Sequence, residues 1–241
     1  KCIVAFLDIL GFKNMINTKA FEEIREIFSN VIPQSDFCLA LGRAAYDEDI
    51  VLNQYNDVLS KTKMHIMSDS IIIAAPVGYP EALAVVIDIC DVIQEQLYDL
   101  EVPVFLRGAI AEGDFYLDEQ LIFGKGLVDA YVAQENYAVY PRIIVSDAVV
   151  KGKTVSVDSE WKKLPRDKDG YFYINTLERY FQCKTLDEFV TNGQVKKIRQ
   201  CVDSRLQGYA DSHLREKYIW IRQELERIKH NLAYDNNIVM V

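Results

Sequence analysis

The chain has 241 residues, half of them hydrophobic, so one large domain or one domain with an appendage is expected. Its formal net charge is −9, with no long basic run, which argues against duplex nucleic acid or an anionic membrane as a partner. The five cysteines are scattered and include no CxxC pair, which favours free thiols over a disulfide framework or a zinc site. The sequence shows no apolar run of membrane-spanning length and no secretory leader, so we expect a cytoplasmic location.

Two apolar stretches are each interrupted by one aspartate. Residues 2–12 predict a strand buried on both faces that reaches Asp8 and turns at Gly11. Residues 64–75 predict two strands that meet at a tight turn containing Asp69. A carboxylate at the tip of a buried strand is costly to desolvate unless a cation or strong donors meet it. The pair therefore suggests a shared site for divalent metal, although turn or capping roles are the alternative.

The other segments alternate between helical and extended patterns. Helices are predicted at 21–31, 36–45 and 80–97, a mobile acidic loop before residue 62, strands at 102–113 and 141–145, a strand–turn–helix unit at 121–136, and a hairpin of 154–157 with 171–174. This order predicts an α/β fold, an α+β sandwich with a ferredoxin-like mixed sheet and helices on one face.

From Thr185 the pattern is helical, with breaks near Gly193 and Gly208. The terminal helix carries an apolar stripe, which is predicted to pack on the core or on a second subunit. The stripe consists of Leu214, Tyr218, Ile221, Leu225 and Ile228. We therefore expect a main domain at residues 1–180 and a helical extension at 181–241.

Three segments together resemble class III nucleotidyl cyclases. Phe6-Leu-Asp-Ile-Leu-Gly-Phe12 is similar to their first metal motif, and Ser68-Asp69 to the turn that carries the second metal carboxylate. Leu106-Arg-Gly-Ala-Ile-Ala-Glu-Gly113, followed by Phe123-Gly124 and Ala130, is similar to their later strand and glycine-to-helix segment. The resemblance covers roughly residues 1 to 150, and it implies the class III cyclase type of sheet.

By this resemblance, Asp8 and Asp69 would hold two Mg²⁺ or Mn²⁺ ions joined by the backbone carbonyl of Ile9. The ribose 3′-hydroxyl would attack the α-phosphorus in line, and pyrophosphate would leave. Backbone N–H groups of Leu10, Gly11 and Phe12 would bind the β- and γ-phosphates.

Several family positions are different here. His65 stands where purine cyclases have a base-selecting lysine, and Leu121 replaces its polar partner. Val128 and Val132 occupy the positions of the transition-state asparagine and arginine. Either catalysis is lost, or another base is read, with His65 a candidate contact, and other arginines stabilise the charge.

Arg107 and Arg142 are the candidates for that second role, because each lies in a strand-like segment where an unpaired charge is unexpected. The alternative is a structural ion pair. The acids considered for such a pair are Glu112, Asp129 and Glu135. Tyrosines could also stack on or bond to a base, and those considered are Tyr46, Tyr55 and Tyr131.

This combination resembles the pyrimidine cyclases of bacterial Pycsar anti-phage defence, and residues 141–143 and 217–220 share that likeness. The implied activity is a uridylate cyclase, with CTP as the other substrate, acting as a homodimer whose active site lies between subunits. A downstream effector of the cyclic nucleotide is implied only by this resemblance. The alternatives are a cyclase-like nucleotide-binding module without catalysis and a purine cyclase with unusual base selectors.

Overall fold

The computed structural model describes residues 1–31, 49–151, 164–208 and 212–238. The strands are β1 (Cys2–Ile9), β2 (Lys63–Met67), β3 (Ser70–Pro76), β4 (Leu106–Gly113), β5 (Tyr116–Leu117), β6 (Ile122–Phe123), β7 (Ile143–Val145) and β8 (Phe172–Tyr173). The described helices are α1 (Phe12–Thr18), α2 (Phe21–Val31), α3 (Asp49–Lys61), α4 (Ala82–Asp99), α5 (Lys125–Tyr137), α6 (Asp147–Lys151), α7 (Thr176–Phe181), α8 (Leu186–Thr191), α9 (Gly193–Gly208) and α10 (Ser212–Ile238). The helix predicted at 36–45 and the strand predicted at 154–157 lie outside the described residues.

Six strands form one sheet in the order β2-β3-β1-β4-β7-β8, while β5 pairs with β6 in a separate hairpin. Neighbours in the large sheet are antiparallel except for β4 and β7, which run parallel. In the central strand, Asp8 lies opposite Ser70 on one side and Arg107 on the other. A Cβ atom at Gly108 would come within 2.6 Å of the Leu7 side chain. Glycine at this position therefore allows β1 and β4 to approach each other closely.

The two faces of β1 pack against different layers, as strand alternation requires. Ile3 and Leu7 belong to the main hydrophobic core, which they share with α4. Val4 lies on the opposite face, where Phe6 and the α5 residue Leu127 pack beside it. Asp8 follows the same alternation as Val4 and Phe6, so it lies on the α5 face of the sheet.

The predicted α/β fold with a mixed sheet is confirmed by the strand order. One detail is different, because α5 lies on the face opposite α4, so helices cover both faces. Residues 49–61, predicted as part of a mobile loop, form helix α3. The helix predicted at 21–31 is present as α2, with Ile24 and Ile27 buried and Phe21 75% exposed.

The C-terminal helices pack on the β7–β8 side of the sheet around a second hydrophobic cluster. That cluster includes Ile144 and Tyr173 from the sheet and Ile198 from α9. The predicted stripe of α10 is largely buried in the same cluster, so it packs within this chain. Its buried members are Tyr218, Ile221, Leu225 and Ile228. Among the helices of the described residues, none combines the length and hydropathy needed to cross a bilayer.

Candidate active site

The backbone brings the two predicted aspartates to the same end of neighbouring strands. Asp8 is the penultimate residue of β1, and Asp69 ends the two-residue turn between β2 and β3. Ser68, the other turn residue, has a φ of 59°, which makes the reversal tight. The N–H of Ile9 donates to the carbonyl oxygen of Asp69 at 2.9 Å, and Asp8 lies opposite Ser70. The aspartates are therefore one residue out of register across the β1–β3 pair.

Strand β4 adds a cation to this end of the sheet. Arg107 lies opposite Asp8, and its Nε donates to Oδ2 of Asp8 at 2.6 Å. Each side chain of this ion pair is 20% exposed. Because solvent reaches the pair, the Asp8 carboxylate can exchange its arginine partner for another cation without a charge being stranded in a dry interior. The sequence did not reveal this partner, because the register of β1 against β4 is a tertiary property.

The turn after β1 separates the aspartate strand from helix α1. Gly11 has a φ of 83°, a left-handed conformation that favours glycine, and it precedes the first helical residue, Phe12. The N–H of Leu10 donates to the carbonyl of Phe105 at 2.9 Å, and Leu10 is buried. This contradicts the prediction that the Leu10 N–H contacts phosphate, since that donor is used within the fold. The N–H groups of Gly11 and Phe12 remain the predicted phosphate contacts.

The structure contradicts a direct catalytic role for Arg142. Its side chain is 1% exposed, and its guanidinium pairs with Asp167 and Asp169. Asp167 also accepts a hydrogen bond from the Trp220 indole N–H at 3.0 Å. A guanidinium with this burial and these partners has no open side for a triphosphate. Arg142 is therefore part of the packing between the sheet and α10, with partners other than those considered from the sequence.

His65 and two of the candidate tyrosines differ in their accessibility. His65 is partly buried in β2 opposite Ile72, which in turn lies opposite Phe6, so His65 is on the Asp8 face of the sheet but two strands away from β1. Tyr131 is 48% exposed, and its ring lies edge-on to Phe6 at a centroid distance of 5.4 Å. Tyr55 is fully buried and donates to Asp88 at 2.9 Å, so it is a core residue. Tyr46 lies outside the described residues.

An exposed apolar surface adjoins this site on the α5 face of the sheet. We name it the α5 surface, and it comprises Tyr116, Leu121, Phe123, Val128, Tyr131 and Val132, each at least 43% exposed. Val128 and Val132, which the sequence placed at the family's asparagine and arginine positions, are thus on the outside of α5. The sequence identified these two valines as departures, whereas their exposure beside Tyr131 on α5 became visible only in the fold.

The donor set fits a hard divalent cation that is completed by substrate. No group of three or more His, Cys, Asp or Glu side chains that could hold a metal occurs in the four described ranges. Mg²⁺, however, is commonly bound by one or two carboxylates together with substrate phosphates and water. Asp8 and Asp69 supply two such carboxylates at one end of the sheet, and the Ile9 carbonyl remains the predicted third oxygen.

Searches with family models and against curated proteins returned no match for this chain. Solved structures that align with it include the guanylyl cyclase Cya2, at 10% identity and a TM-score of 0.45 over 71% of this chain and 89% of that chain. The guanylate cyclase domain of RhGC from Catenaria anguillulae, in complex with GTP, aligns at 12% identity and a TM-score of 0.44 over 71% and 92%. A bacterial light-regulated adenylyl cyclase aligns at 13% identity and a TM-score of 0.42 over 83% and 97%. Values at this level assign neither a family nor an activity to the chain.

Proposed function

We propose that this protein is a metal-dependent nucleotidyl cyclase that converts UTP, or alternatively CTP, to its 3′,5′-cyclic monophosphate and pyrophosphate. The observation that carries this proposal is the Asp8–Arg107 ion pair at one end of β1 and β4, where the backbone of Asp69 in the β2–β3 turn also hydrogen-bonds to β1. The same residues lie in the segments that resemble cyclase motifs. We also propose residues 1–180 as the catalytic domain and 181–241 as its helical extension.

In this reaction the 3′-oxygen of the ribose bonds to the α-phosphorus, and the bond from that phosphorus to the oxygen bridging to the β-phosphate breaks. The hydroxyl proton is lost to solvent and pyrophosphate leaves. Bound Mg²⁺ or Mn²⁺ would lower the pKa of the hydroxyl and offset the charge on the leaving group. Asp8 and Asp69 are the residues that would hold those ions, together with the carbonyl of Ile9.

Arg107 supplies the positive charge that the chain itself brings to the reaction. Its guanidinium has five N–H donors, of which the Nε–H is used by Asp8. When the Asp8 carboxylate binds a metal cation, it no longer accepts the hydrogen bond from Arg107, and the Arg107 guanidinium can then donate to phosphate oxygens of the substrate. Charge-assisted hydrogen bonds of this kind strengthen as negative charge develops on the leaving pyrophosphate. One partly exposed ion pair thus changes into two separate contacts with the substrate complex.

Selection of a pyrimidine is supported by the absence of the purine-selecting lysine at position 65. A lysine that selects purines in the resembling family is replaced by His65, which is partly buried on the same sheet face as Asp8. The half-exposed ring of Tyr131, in the middle of α5 and in contact with Phe6, offers a second surface to a base. We propose that His65 contacts the carbonyl edge of uracil or the equivalent edge of cytosine.

We further propose that the enzyme acts as a homodimer through the α5 surface. An exposed apolar area of several aromatic and branched side chains is a common feature of protein interfaces. It adjoins the Asp8 end of the sheet through the contact between Tyr131 and Phe6. A second copy of the chain bound to the α5 surface would cover the solvent-exposed face of the candidate active site. Specific activity should therefore fall on dilution, and Val128→Asp should lower both the dimer fraction and the turnover.

The test is a product assay with four separate ribonucleoside triphosphates. The purified protein is incubated with Mn²⁺ and UTP, CTP, ATP or GTP, and the products are resolved by mass spectrometry. Cyclic UMP or cyclic CMP is the expected product, and it should be absent with Asp8→Asn. A cyclic purine would instead establish the purine cyclase alternative. Full activity of Asp8→Asn would overturn the metal assignment.

A nucleotide-binding module without catalysis is the second candidate. The apolar Val128 and Val132 favour it, because neither can stabilise the charge of a transition state. This candidate predicts saturable binding of UTP by calorimetry with no cyclic product from any triphosphate. If a cyclic pyrimidine is formed, we propose that it is the messenger of an anti-phage system with a downstream effector. In that case a bacterial host expressing both proteins should form fewer plaques than one carrying Asp8→Asn.

A further inference from the structure

A second concave site lies beside the C-terminal helices. It is a cavity of about 660 Å³ between α1, the segment that follows α4, and one face of α9. Pockets that bind small molecules typically occupy roughly 300–1,000 Å³, so a mononucleotide-sized ligand would fit. The cavity contains neither Asp8 nor Asp69 among its lining residues, and it is therefore separate from the candidate active site.

Helix α9 presents a polar face to this cavity. Lys197, Gln200, Cys201, Ser204 and Arg205 line it at the spacing of one helical face. The opposite face of the same helix is buried in the second hydrophobic cluster through Ile198 and Val202. The polar face is thus held in a fixed orientation toward the cavity.

Two cations are positioned along this wall. The Nζ of Lys197 donates to the Asp99 carbonyl at 2.9 Å, which fixes the ammonium and leaves it two further N–H donors. Arg205 interacts with the side chain of Cys201. Burial raises the pKa of the Cys201 thiol, and the charge and hydrogen bond of Arg205 partly lower it again. In a chain with a net charge of −9, these two basic groups outnumber the single acid of the cavity lining, Glu101, so the concavity is locally positive.

The facing wall has a different chemistry. Val102 and Pro103 provide an apolar surface, and the carboxylate of Glu101 lies beside them. An apolar wall suits a planar ring, a carboxylate accepts hydrogen bonds from sugar hydroxyls, and the basic wall suits a phosphate. We propose that this cavity binds a small phosphorylated molecule with a sugar and a planar group, in the size class of a nucleoside monophosphate.

The cavity is connected to the candidate active site through its walls. A smaller cavity lined by Leu10 and Gly11 shares Asn14 and Arg205 with it. The N–H of Leu10 donates to the Phe105 carbonyl, and these residues stand two positions from Asp8 and Arg107 respectively. A ligand in the cavity would contact the segments that lead to the Asp8–Arg107 pair. An effect of the ligand on turnover rests on the proposed function, whereas its binding does not.

The test measures AMP and ribose 5-phosphate binding to the full chain by calorimetry. We expect saturable binding of AMP, weakened about tenfold or more by Lys197→Gln and by Arg205→Gln, because each change removes a charge-assisted hydrogen bond. Lys196→Gln is the matched control, since Lys196 is the exposed neighbour of Lys197 outside the cavity lining. Its affinity should stay within about twofold of the unaltered chain. Circular dichroism confirms that each variant is folded.

Two further results separate this site from the active site. Asp8→Asn should bind AMP as the unaltered chain does, even if the proposed cyclase activity fails. AMP should also slow alkylation of Cys201, which lines the cavity, but leave Cys183 unaffected. The proposal is overturned if neither ligand binds at millimolar concentration. It is equally overturned if Lys197→Gln and Arg205→Gln bind AMP normally while Asp8→Asn does not.

Discussion

Arg107 and Arg142 lie side by side in the sheet but have opposite environments. The β4–β7 pairing places Gly108 opposite Ile143, so the two arginines precede that pair on adjacent strands. The Arg107 side chain is 20% exposed and pairs with one carboxylate, Asp8. The Arg142 side chain is 1% exposed and pairs with two. Burial, more than position in the sheet, separates an arginine that can change partners from one that cannot.

The cover over Arg142 explains this difference. Tyr140 stacks on Trp220 of α10 with an interplanar angle of 8°, and the Trp220 indole is fixed by its hydrogen bond to Asp167. Helix α10 thus closes the sheet face above Arg142. Arg107 lies one strand closer to the centre of the sheet, where its pair with Asp8 remains open to solvent. The terminal helix therefore limits the candidate active site to the β3–β1–β4 part of the sheet.

The largest expected effect comes from removing either of the two aspartate carboxylates at the solvent-accessible end of β1 and the β2–β3 turn. Asp8→Asn or Asp69→Asn should lower kcat by about 10³-fold or more, because each change removes a charge that would hold the reacting triphosphate and its cations. The measurement is cyclic-nucleotide formation by mass spectrometry at saturating UTP and Mn²⁺. Thermal unfolding should change little, since both aspartates lie at a strand end that solvent reaches.

Asp114→Asn is the control for these variants, because Asp114 is an aspartate just after β4 whose side chain is 79% exposed. It should retain full turnover. If Asp8→Asn were to lose activity only in proportion to a loss of folded protein, the open pair would be structural like the buried one.

The next effect is that of the cation in the open pair. Arg107→Gln should lower kcat/KM by about 10²–10³-fold, the range typical of losing one preorganised donor to a transition state. Initial rates over a range of UTP concentrations provide the measurement. Arg25→Gln, in which an arginine with a 70% exposed side chain is changed, should leave the rates unaffected. A lowered melting temperature with unchanged kcat/KM would assign Arg107 to the same class as Arg142.

The buried pair should show the reverse behaviour. Arg142→Gln leaves Asp167 and Asp169 without their main partner, and breaking a buried pair from one side costs about 3–5 kcal/mol of unfolding free energy. Urea denaturation measures this loss. Turnover per folded molecule should change by less than about threefold, because Arg142 contacts no substrate in this proposal. Arg222→Gln is the control, since its guanidinium lies 4.0 Å from Asp203 at the surface.

The two arginines also show what a sequence can reveal about a site. Both were recognised as charges in strand-like segments, and both aspartates were placed at strand ends, because apolar runs and turn residues are local signals. The partner of Arg107 depends on the register of β1 against β4, which no local pattern encodes. The partners of Arg142 lie 25 and 27 residues away in a charged turn. Contacts of this kind depend on how the chain folds back on the sheet.

The helix predictions show the same difference between local sequence signals and tertiary contacts. The long helix α4 was predicted because its apolar residues are dense, and it is buried on nearly all sides. Helix α3 was missed although Tyr55 and Val58 recur at helical spacing and are both fully buried, because its apolar residues are fewer than those of α4. Tyr55 also makes a tertiary contact, since its hydroxyl is satisfied by Asp88 of α4. Its burial also removes it as a base contact, a conclusion that residue type alone could not supply.

A third arginine, Arg179, extends the comparison of arginine environments to a pair with a smaller expected effect. Arg179 of α7 pairs with Asp91 of α4, and Glu95 lies one turn further along α4. Burial, with Asp91 and Asp99 nearby and Arg179 opposing them, raises the pKa of Glu95 to about 7. The Arg179 guanidinium pairs directly with Asp91 but not with Glu95, whereas Arg142 pairs directly with two acids.

This arrangement predicts a pH dependence with a defined sign. Since the folded chain holds the Glu95 proton more tightly than the unfolded chain does, stability should fall as pH rises from the ordinary glutamate value of 4.5 to about 7, then level off. The loss should be about 1–2 kcal/mol once partial solvent access is counted. Glu95→Gln should reduce this slope in urea denaturation series from pH 5 to pH 8 and leave the protein more stable at pH 8, with the remaining slope due to Asp91, whose pKa is also raised by burial. Glu216→Gln, at an exposed position of α10, should keep the slope. An unchanged slope in Glu95→Gln would mean that Glu95 is ionised in the folded chain, and that a buried arginine can carry a second acid it does not directly bind.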